Sequence, residues 1–244
     1  MTHRPDPQQL LAILDDLSRD LAALSFSDPV AHVYDPLQYA REPVRLYVER
    51  YAPLAADTLL IGMNPGPWGM AQTGIPFGAI SPTRDWLDVA ATVEKPAAEH
   101  PKRPIEGFDT AKDEVSGMRL WGWAESRFGT PERFFERLFI HNYCPLCFLG
   151  DTGRNLTPDK LRVAERRPLL EVCDRGLRRF VEAWGAHRVI GVGAWAETRA
   201  KAALDGLDVT IGKILHPSPA SPAANRGWAA QAEPQLVALG VELP

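Results

Sequence analysis

Residues 58–67, TLLIGMNPGP, consist of a short apolar run followed directly by residues typical of a turn. The run from Thr58 to Met63 is long enough for a strand and carries no charge. The following Asn64-Pro65-Gly66-Pro67 is typical of a turn and cannot continue a strand. This stretch therefore predicts a buried strand that ends abruptly, with polar groups just beyond it. Residues 66–82 are rich in Gly and Pro and are predicted to form a structured loop.

Three further short stretches rich in apolar residues are also predicted to be strands. Strands are predicted over Phe135 to Asn142, over Arg188 to Val192 and over Val209 to Leu215. Helices are predicted over residues 7–25, 43–51, 114–128, 131–137, 162–184, 194–204 and 228–240. Strands that alternate with helices indicate an α/β fold with a central, mostly parallel four-stranded sheet and helices on both faces.

The chain is predicted to form one domain with a helix added at its N-terminus. Leucines at 10, 14, 17 and 21 have helical spacing, so residues 1–28 are expected to hold a helix that packs on the rest. Residues 29–244 contain no repeat and no linker. With 244 residues, 45% of them apolar, the chain is long enough to bury one substantial core.

Composition limits the cellular setting and the partners. No run of about 18 apolar residues exists, so no membrane span is expected. The polar start MTHRPDPQQL does not look like a secretory signal, and three cysteines do not suggest a disulfide framework. We expect an intracellular, cytoplasmic protein. Because the net charge is −4, any DNA would be bound through local positive charge.

Polar residues stand at the ends of three predicted strands. Asn64 follows the first strand, Asn142 ends the second and His216 follows the fourth. Each alone has a plausible structural role, such as starting a turn. Ligands of open α/β sheets bind beyond the carboxyl ends of the strands, so the three together predict a functional site there.

Longer motifs around these residues resemble one enzyme family. Residues 62–78, GMNPGPWGMAQTGIPFG, resemble the first signature of the single-strand-selective monofunctional uracil-DNA glycosylases, and residues 216–228, HPSPASPAANRGW, resemble the second. Further matches between them are residues 84–86 (RDW), 99–104 (EHPKRP), 114–117 (EVSG), 141–142 (HN), 144–146 (CPL) and 153–158 (GRNLTP). The resemblance runs from about Pro29 to near the end of the chain.

The resemblance implies a uracil-DNA glycosylase fold, with no metal and no other cofactor. The implied activity is hydrolysis of the N-glycosidic bond of uracil and related damaged bases, which leaves an abasic site for base excision repair of chromosomal DNA. The implied partners are single- and double-stranded DNA that contain uracil or oxidised or deaminated bases. We expect the protein to act as a monomer.

The same resemblance assigns roles to individual residues. It implies that Asn64 positions the attacking water, that His216 assists the departing base, and that Asn142 reads uracil while Phe77 stacks on it. Three further residues are expected to shape the side of the base pocket, and these are Met63, Gly66 and Met70.

The chemistry of the reaction is compatible with these side chains. Uracil leaves as an anion from a sugar that becomes positively charged, so the nucleophile can be a water held by a neutral amide. A donor such as His216 is aimed at the charge that develops on O2. The Asn142 carbonyl can accept from N3–H and its NH2 can donate to O4, but the amide rotated by half a turn would suit cytosine. We therefore predict a neighbouring contact that holds the Asn142 amide in one orientation.

The segment after His216 departs from the family pattern. In the family this loop enters the duplex and fills the gap left by the flipped base. Five residues of the segment are assigned to DNA binding, namely Pro219, Ala220, Ser221, Asn225 and Arg226. Ala220 stands where the family usually has arginine and lacks the bulk of a wedge. We therefore predict a stronger preference for single strands.

Three features of the sequence support other hypotheses. Cys144 and Cys147 form a C-x-x-C pair, which would suit a zinc site with His141 and Cys173, although buried inert thiols are favoured. Residues 191–196, GVGAWA, fit the dinucleotide pattern G-x-G-x-x-A, although close strand–helix packing explains the glycines better. Lys213 would be the nucleophile of a lyase. The alternatives to a glycosylase are a lesion-binding protein that does not cut and, behind it, a nicotinamide-dependent oxidoreductase.

Overall fold

Strands and helices alternate along residues 4–244, the part of the chain described by the computed structural model. The strands are β1 (His32–Tyr34), β2 (Thr58–Gly62), β3 (Leu138–Asn142), β4 (Cys147–Leu149), β5 (Asn155–Leu156), β6 (Arg188–Val192) and β7 (Thr210–Ile214). The helices are α1 (Pro7–Ala22), α2 (Pro36–Tyr39), α3 (Arg41–Tyr51), α4 (Met70–Thr73), α5 (Val115–Phe128), α6 (Pro131–Phe135), α7 (Val163–Trp184), α8 (Ala194–Ala203), α9 (Pro222–Asn225) and α10 (Trp228–Ala238).

A parallel sheet with the order β3-β2-β6-β7 forms the centre of the molecule. Every residue of β2 is buried, as expected for a strand covered by helices on both faces. The predicted α/β fold with four central strands is therefore confirmed. Gly62 lies opposite Asn142 in the register of β2 and β3, so the segments that follow both strands leave the sheet at the same edge.

Two local predictions were wrong in detail. The second strand begins at Leu138, because the predicted start at Phe135 is instead the buried last residue of α6. Residues 66–82 were predicted to be a loop, but they include the short helix α4.

A second, antiparallel sheet with the order β1-β4-β5 was not predicted. Its strands have only two or three residues each, which is too short for a periodic signal in the sequence.

Helix α1 packs its apolar stripe on α7. Asp6 caps the first turn by accepting a hydrogen bond from the Gln8 N–H at 3.0 Å. A Cβ placed on Gly176 of α7 would lie 2.9 Å from Leu17, so the glycine permits the close approach of the two helices. At the edge of this contact, an ion pair of 2.8 Å links Asp16 of α1 to Arg179 of α7. Residues 1–3 of the predicted N-terminal segment lie outside the described residues.

An aromatic core lies between β3 and the helices on one face. The Tyr51 and Phe135 rings stack with centroids 4.0 Å apart, and the Tyr47 hydroxyl donates to the Ile140 carbonyl at 2.9 Å. This packing ties α3 and α6 to β3, the strand that ends in Asn142. Between residues 4 and 244, no helix has both the length and the apolar character needed to cross a bilayer.

Candidate active site

A cavity of about 350 Å³ lies beyond the carboxyl ends of β2 and β3. Seven residues singled out from the sequence line it, namely Met63, Asn64, Gly66, Met70, Phe77, Asn142 and His216. This volume falls near the lower end of the range of roughly 300–1,000 Å³ for small-ligand sites, and a single nucleobase is a small ligand.

A larger hollow of about 740 Å³ lies elsewhere, between the end of α1 and residues 94–98. In the described chain, none of the predicted site residues lines it. We take the smaller cavity as the candidate active site because polar groups from three strand ends meet there.

Asn64 is oriented by the segment that follows β3. Its NH2 group donates to the Leu146 carbonyl at 3.2 Å. This contact uses the donor side of the amide and leaves the carbonyl oxygen as the acceptor that the pocket can use. An acceptor of this kind can orient a water without removing its proton beforehand.

His216 is held as a neutral imidazole with a defined tautomer. The Ser218 N–H donates to Nδ1 at 3.0 Å, so in the neutral ring the proton lies on Nε2. Burial lowers the pKa of His216 to about 4, so the ring carries no charge near neutral pH. Nε2–H is therefore available as a neutral hydrogen-bond donor.

The predicted contact that holds the Asn142 amide is present. Asn142 is only 4% exposed, and its NH2 group donates to the Met70 sulfur at 3.0 Å. A sulfur accepts a hydrogen bond and a carbonyl oxygen cannot donate one, so this neighbour favours the NH2 group on its side. A side chain at position 62 would collide with the amide oxygen, which explains the glycine at the end of β2.

Phe77 lines the cavity, and its backbone has an unusual conformation. Its φ is 55°, in the left-handed region that costs a non-glycine residue about 1–3 kcal/mol. The Trp121 indole N–H donates to the preceding Pro76 carbonyl at 3.2 Å and so helps to hold the segment. The ring centroid lies 5.8 Å from that of His216, so both rings border the same space.

Comparisons with known proteins identify the family. The chain is 48% identical over 227 residues to the single-strand selective monofunctional uracil-DNA glycosylase of Rattus norvegicus, covering 92% of this chain and 82% of that protein. It is 47% identical over 247 residues to the protein of the same name from Bos taurus, covering 99% and 91%.

The chain belongs to the single-strand-selective monofunctional uracil-DNA glycosylase family.

A solved structure agrees with this assignment at the level of the fold. Wild-type Pedobacter heparinus SMUG2 superposes with a TM-score of 0.70 over 96% of both chains, at 16% sequence identity. No family model matches the chain. The resemblance inferred from the motifs is confirmed by the relatives.

Six pocket residues were not predicted from the sequence. They are Pro65, Glu114, Ser116, Asn155, Thr157 and Ser218. Glu114, Ser116, Asn155 and Thr157 fall in the glycosylase motifs at 114–117 and 153–158. Those motifs do not follow any predicted strand, so strand prediction could not place these four residues at the site. Only the resemblance to the family indicated that they matter.

The five residues assigned to DNA binding do not line the cavity but follow directly after Ser218, which does. Ser221 begins α9 and accepts from the Ala224 N–H at 3.3 Å. The Asn225 side chain donates to the Pro219 carbonyl at 2.9 Å and accepts from Arg119 at 2.8 Å, so it braces the loop. Pro219, Ala220 and Arg226 are exposed.

The cysteine pair has a local structural explanation in this glycosylase. Cys144, Cys147 and Cys173 are free and buried, and among the described residues no group of three or more metal-ligating side chains comes together. Burial raises the pKa of the Cys147 thiol, which lies 3.8 Å from the amide oxygen of the pocket residue Asn155. The thiol therefore acts as a small apolar group that also contacts a lining residue.

The other two competing features lie outside the pocket. A Cβ on Gly191 would overlap the backbone of α8, which supports close strand–helix packing as the reason for the G-x-G-x-x-A pattern. Lys213 forms an ion pair with Glu197 at 3.1 Å, and it does not line the cavity. The family assignment replaces the oxidoreductase hypothesis.

Proposed function

We propose that this protein is a monofunctional DNA glycosylase that hydrolyses the N-glycosidic bond of uracil and of related damaged bases, leaving an abasic site. The proposal depends on one observation, that Asn64, Phe77, Asn142 and His216 line a single cavity of about 350 Å³, which is large enough to hold a nucleobase. The relatives that share about half of its residues are named as monofunctional uracil-DNA glycosylases.

Bond cleavage requires charge to be stabilised on both sides of the broken bond. As the bond between C1′ and N1 lengthens, the sugar becomes positive and the base becomes negative. His216 donates from Nε2–H to O2 of the base, where negative charge grows. A donor in place before the reaction is worth on the order of 10²–10³ in rate. The neutral state of His216 suits this role because the ring need not give up its proton.

Asn64 supplies the nucleophile in this proposal. Its amide oxygen accepts a hydrogen bond from a water below the sugar and so orients the water oxygen toward C1′. The cationic sugar reacts with a weak nucleophile, so a strong base is not required. The proton released from water passes to solvent or to the departing base.

Base selection rests on Asn142 and Phe77. The Asn142 carbonyl accepts from N3–H of uracil, and its second amide hydrogen donates to O4 while the first remains on the Met70 sulfur. Phe77 offers a ring face that compensates for stacking lost when the base leaves the strand.

We further propose that the protein acts as a monomer on chromosomal DNA and prefers single strands. The exposed Ala220 supports the strand preference, because a methyl group cannot fill the space of an extruded base.

A uracil oligonucleotide tests the proposal. A single-stranded 30-mer with one uracil is incubated with the protein and then with hot alkali, which breaks the strand at an abasic site. We expect breakage after alkali and none without it. Asn64→Ala and His216→Ala should each lower the rate at least about 100-fold with an unchanged melting temperature.

Lys213→Ala is the matched control, since Lys213 is exposed and outside the cavity, and its rate should equal the wild type. Absence of alkali-labile sites would reject the proposal and favour a lesion-binding protein that does not cut. Breakage without alkali, lost in Lys213→Ala, would indicate a lyase instead.

A further inference from the structure

Arg119 is a partly buried arginine of α5 that bonds to the segment after β7. Its Nη1 group donates to the Pro217 carbonyl at 3.1 Å, and its Nη2 group donates to the Asn225 side-chain oxygen at 2.8 Å. Within residues 4–244, no carboxylate forms an ion pair with it. Both hydrogen bonds thus go to neutral oxygens, and neither supplies the countercharge that an arginine usually finds.

The two bonds join opposite ends of the loop that follows the catalytic histidine. Pro217 comes directly after His216, and Asn225 is the last residue of α9. The Asn225 amide also donates to the Pro219 carbonyl at 2.9 Å, so the loop is closed on itself. A planar guanidinium group presents its N–H donors in a fixed fork that reaches two acceptors at once. A lysine ammonium is a single point of charge and cannot reproduce that geometry.

The backbone on both sides of His216 is anchored to a helix. On the N-terminal side, the Leu215 N–H donates to the Gln235 side chain of α10 at 2.6 Å. On the C-terminal side, the Pro217 carbonyl accepts the bond from Arg119 of α5. Because proline has no N–H, this carbonyl is the only backbone group of the residue that a hydrogen bond can hold. Without Arg119, the histidine would be fixed on one side only.

Helix α5 also forms part of the cavity wall. Ser116, three residues before Arg119, lines the cavity together with His216. A bond from α5 to Pro217 therefore fixes the imidazole relative to that wall. In the proposed function, on which this inference rests, the imidazole must meet O2 of the base. Misplacement by about 1 Å can cost on the order of 10²-fold in rate.

We infer that Arg119 is a positioning residue, which holds the His216 imidazole in place for the departing base through the Pro217 carbonyl. Among the described residues that line the cavity, Arg119 is absent, so it acts on the reaction through the histidine and not on the base itself. The role depends on the geometry of the guanidinium fork rather than on its charge. Lysine should therefore not replace it.

Rates and dissociation constants measured separately distinguish positioning from DNA contact. Single-turnover rates are measured on a single-stranded uracil oligonucleotide at saturating protein, and dissociation constants on the same strand with a tetrahydrofuran abasic analogue. In Arg119→Lys we expect the rate to fall at least about tenfold. Its dissociation constant should stay within about twofold of the wild type, because the positive charge remains. Arg119→Gln should lose a similar factor in rate.

Arg127→Lys is the matched control, since Arg127 is exposed on the same helix and pairs with Glu233, and its rate should equal the wild type. Melting temperatures show whether each variant is folded. A rate that lysine preserves and glutamine does not would overturn the inference, because charge and not the fork would then be required. A wild-type rate in both Arg119 variants would overturn it as well.

A double variant tests whether Arg119 acts through His216. In the His216→Ala background, Arg119→Lys should lower the rate by less than about twofold, because the ring that it positions is gone. The full tenfold loss repeated in that background would mean that Arg119 acts independently of the histidine, and would overturn the inference. A wild-type protein that releases no uracil would reject the proposed function, and this inference with it.

Discussion

At the scale of single residues, the orientation of Asn142 depends on a sulfur atom. The 3.0 Å contact from its NH2 group to the Met70 sulfur is the feature that distinguishes the two possible orientations of the amide, which differ by half a turn. A thioether is a weak acceptor, so the preference it imposes is modest. Removing it should therefore alter the choice between bases more than the fold.

Met70→Leu tests this dependence. Leucine has similar volume but no acceptor, so the amide loses its preference and we expect the ratio of uracil to cytosine excision to fall about three- to tenfold. The ratio is measured with matched single-stranded oligonucleotides. Met118→Leu, at an exposed methionine on α5, is the control. An unaltered ratio in Met70→Leu would mean that another group orients Asn142.

Glu114 should make stability depend on pH. Burial raises its pKa from 4.5 to about 7, so the folded state holds this proton more tightly than the unfolded state. The stabilisation that the folded state gains by binding this proton is complete below pH 4.5 and is lost as pH rises through 7. Relative to Glu114→Gln, the wild type should lose up to about 3 kcal/mol of unfolding free energy between pH 4.5 and pH 8. Urea denaturation across this range measures the difference, and parallel curves would contradict it.

At the scale of elements, α5 supports the strained backbone of Phe77. A Cβ on Gly117 would overlap the Phe77 carbonyl oxygen and lie 3.0 Å from the Ala79 nitrogen. The glycine thus lets the helix press against the segment that carries the aromatic ring. Gly122, on the same helix, has open space around it.

Gly117→Ala and Gly122→Ala form a matched pair. Gly117→Ala should displace the Phe77 segment and lower uracil excision at least about tenfold, because misplacement of a binding group by an ångström is costly. Gly122→Ala should leave the rate unchanged and stabilise the protein by about 1 kcal/mol. Rates and melting temperatures are measured for both. Equal rates in the two variants would mean that the packing of α5 at Gly117 does not position Phe77 for catalysis.

The loop between Pro219 and Arg226 should set the preference for single strands. Ala220→Arg supplies bulk and a positive charge at an exposed position. We expect it to raise the double-stranded rate at least about threefold relative to the single-stranded rate, since duplexes must be held open around an extruded base. Ala202→Arg, exposed on α8, controls for the added charge. A similar increase in the relative double-stranded rate in both variants would mean that the added positive charge alone causes it.

Elements differ in how well the sequence predicted them. The four central strands are short and mostly apolar, so their positions followed from the sequence pattern to within about three residues, and so did the polar residues at their ends. Glu114 and Thr157 lie in irregular segments, where contacts depend on how distant parts of the chain pack. The two- and three-residue strands of the second sheet are stabilised by pairing with each other and carry no pattern of their own.

At the scale of the whole molecule, we propose that α1 belongs to one cooperative unit with the catalytic domain. Leu17 on α1 is 4% exposed and meets Gly176 of α7. Leu17→Ala should lower the unfolding free energy by about 2–5 kcal/mol in a single transition, whereas Gln9→Ala at an exposed site should not. Chemical denaturation followed by tryptophan fluorescence and by circular dichroism measures this. Two separate transitions would show that α1 unfolds independently.

The burial of all three thiols offers a practical advantage. Maleimide reagents attack thiolates at the surface, and native Cys144, Cys147 and Cys173 present none. A cysteine introduced by Ala220→Cys would thus be the single point of attachment for a fluorophore, with no need to remove natural cysteines first. The dye would report, in real time, when the loop beside the pocket meets a nucleic acid strand.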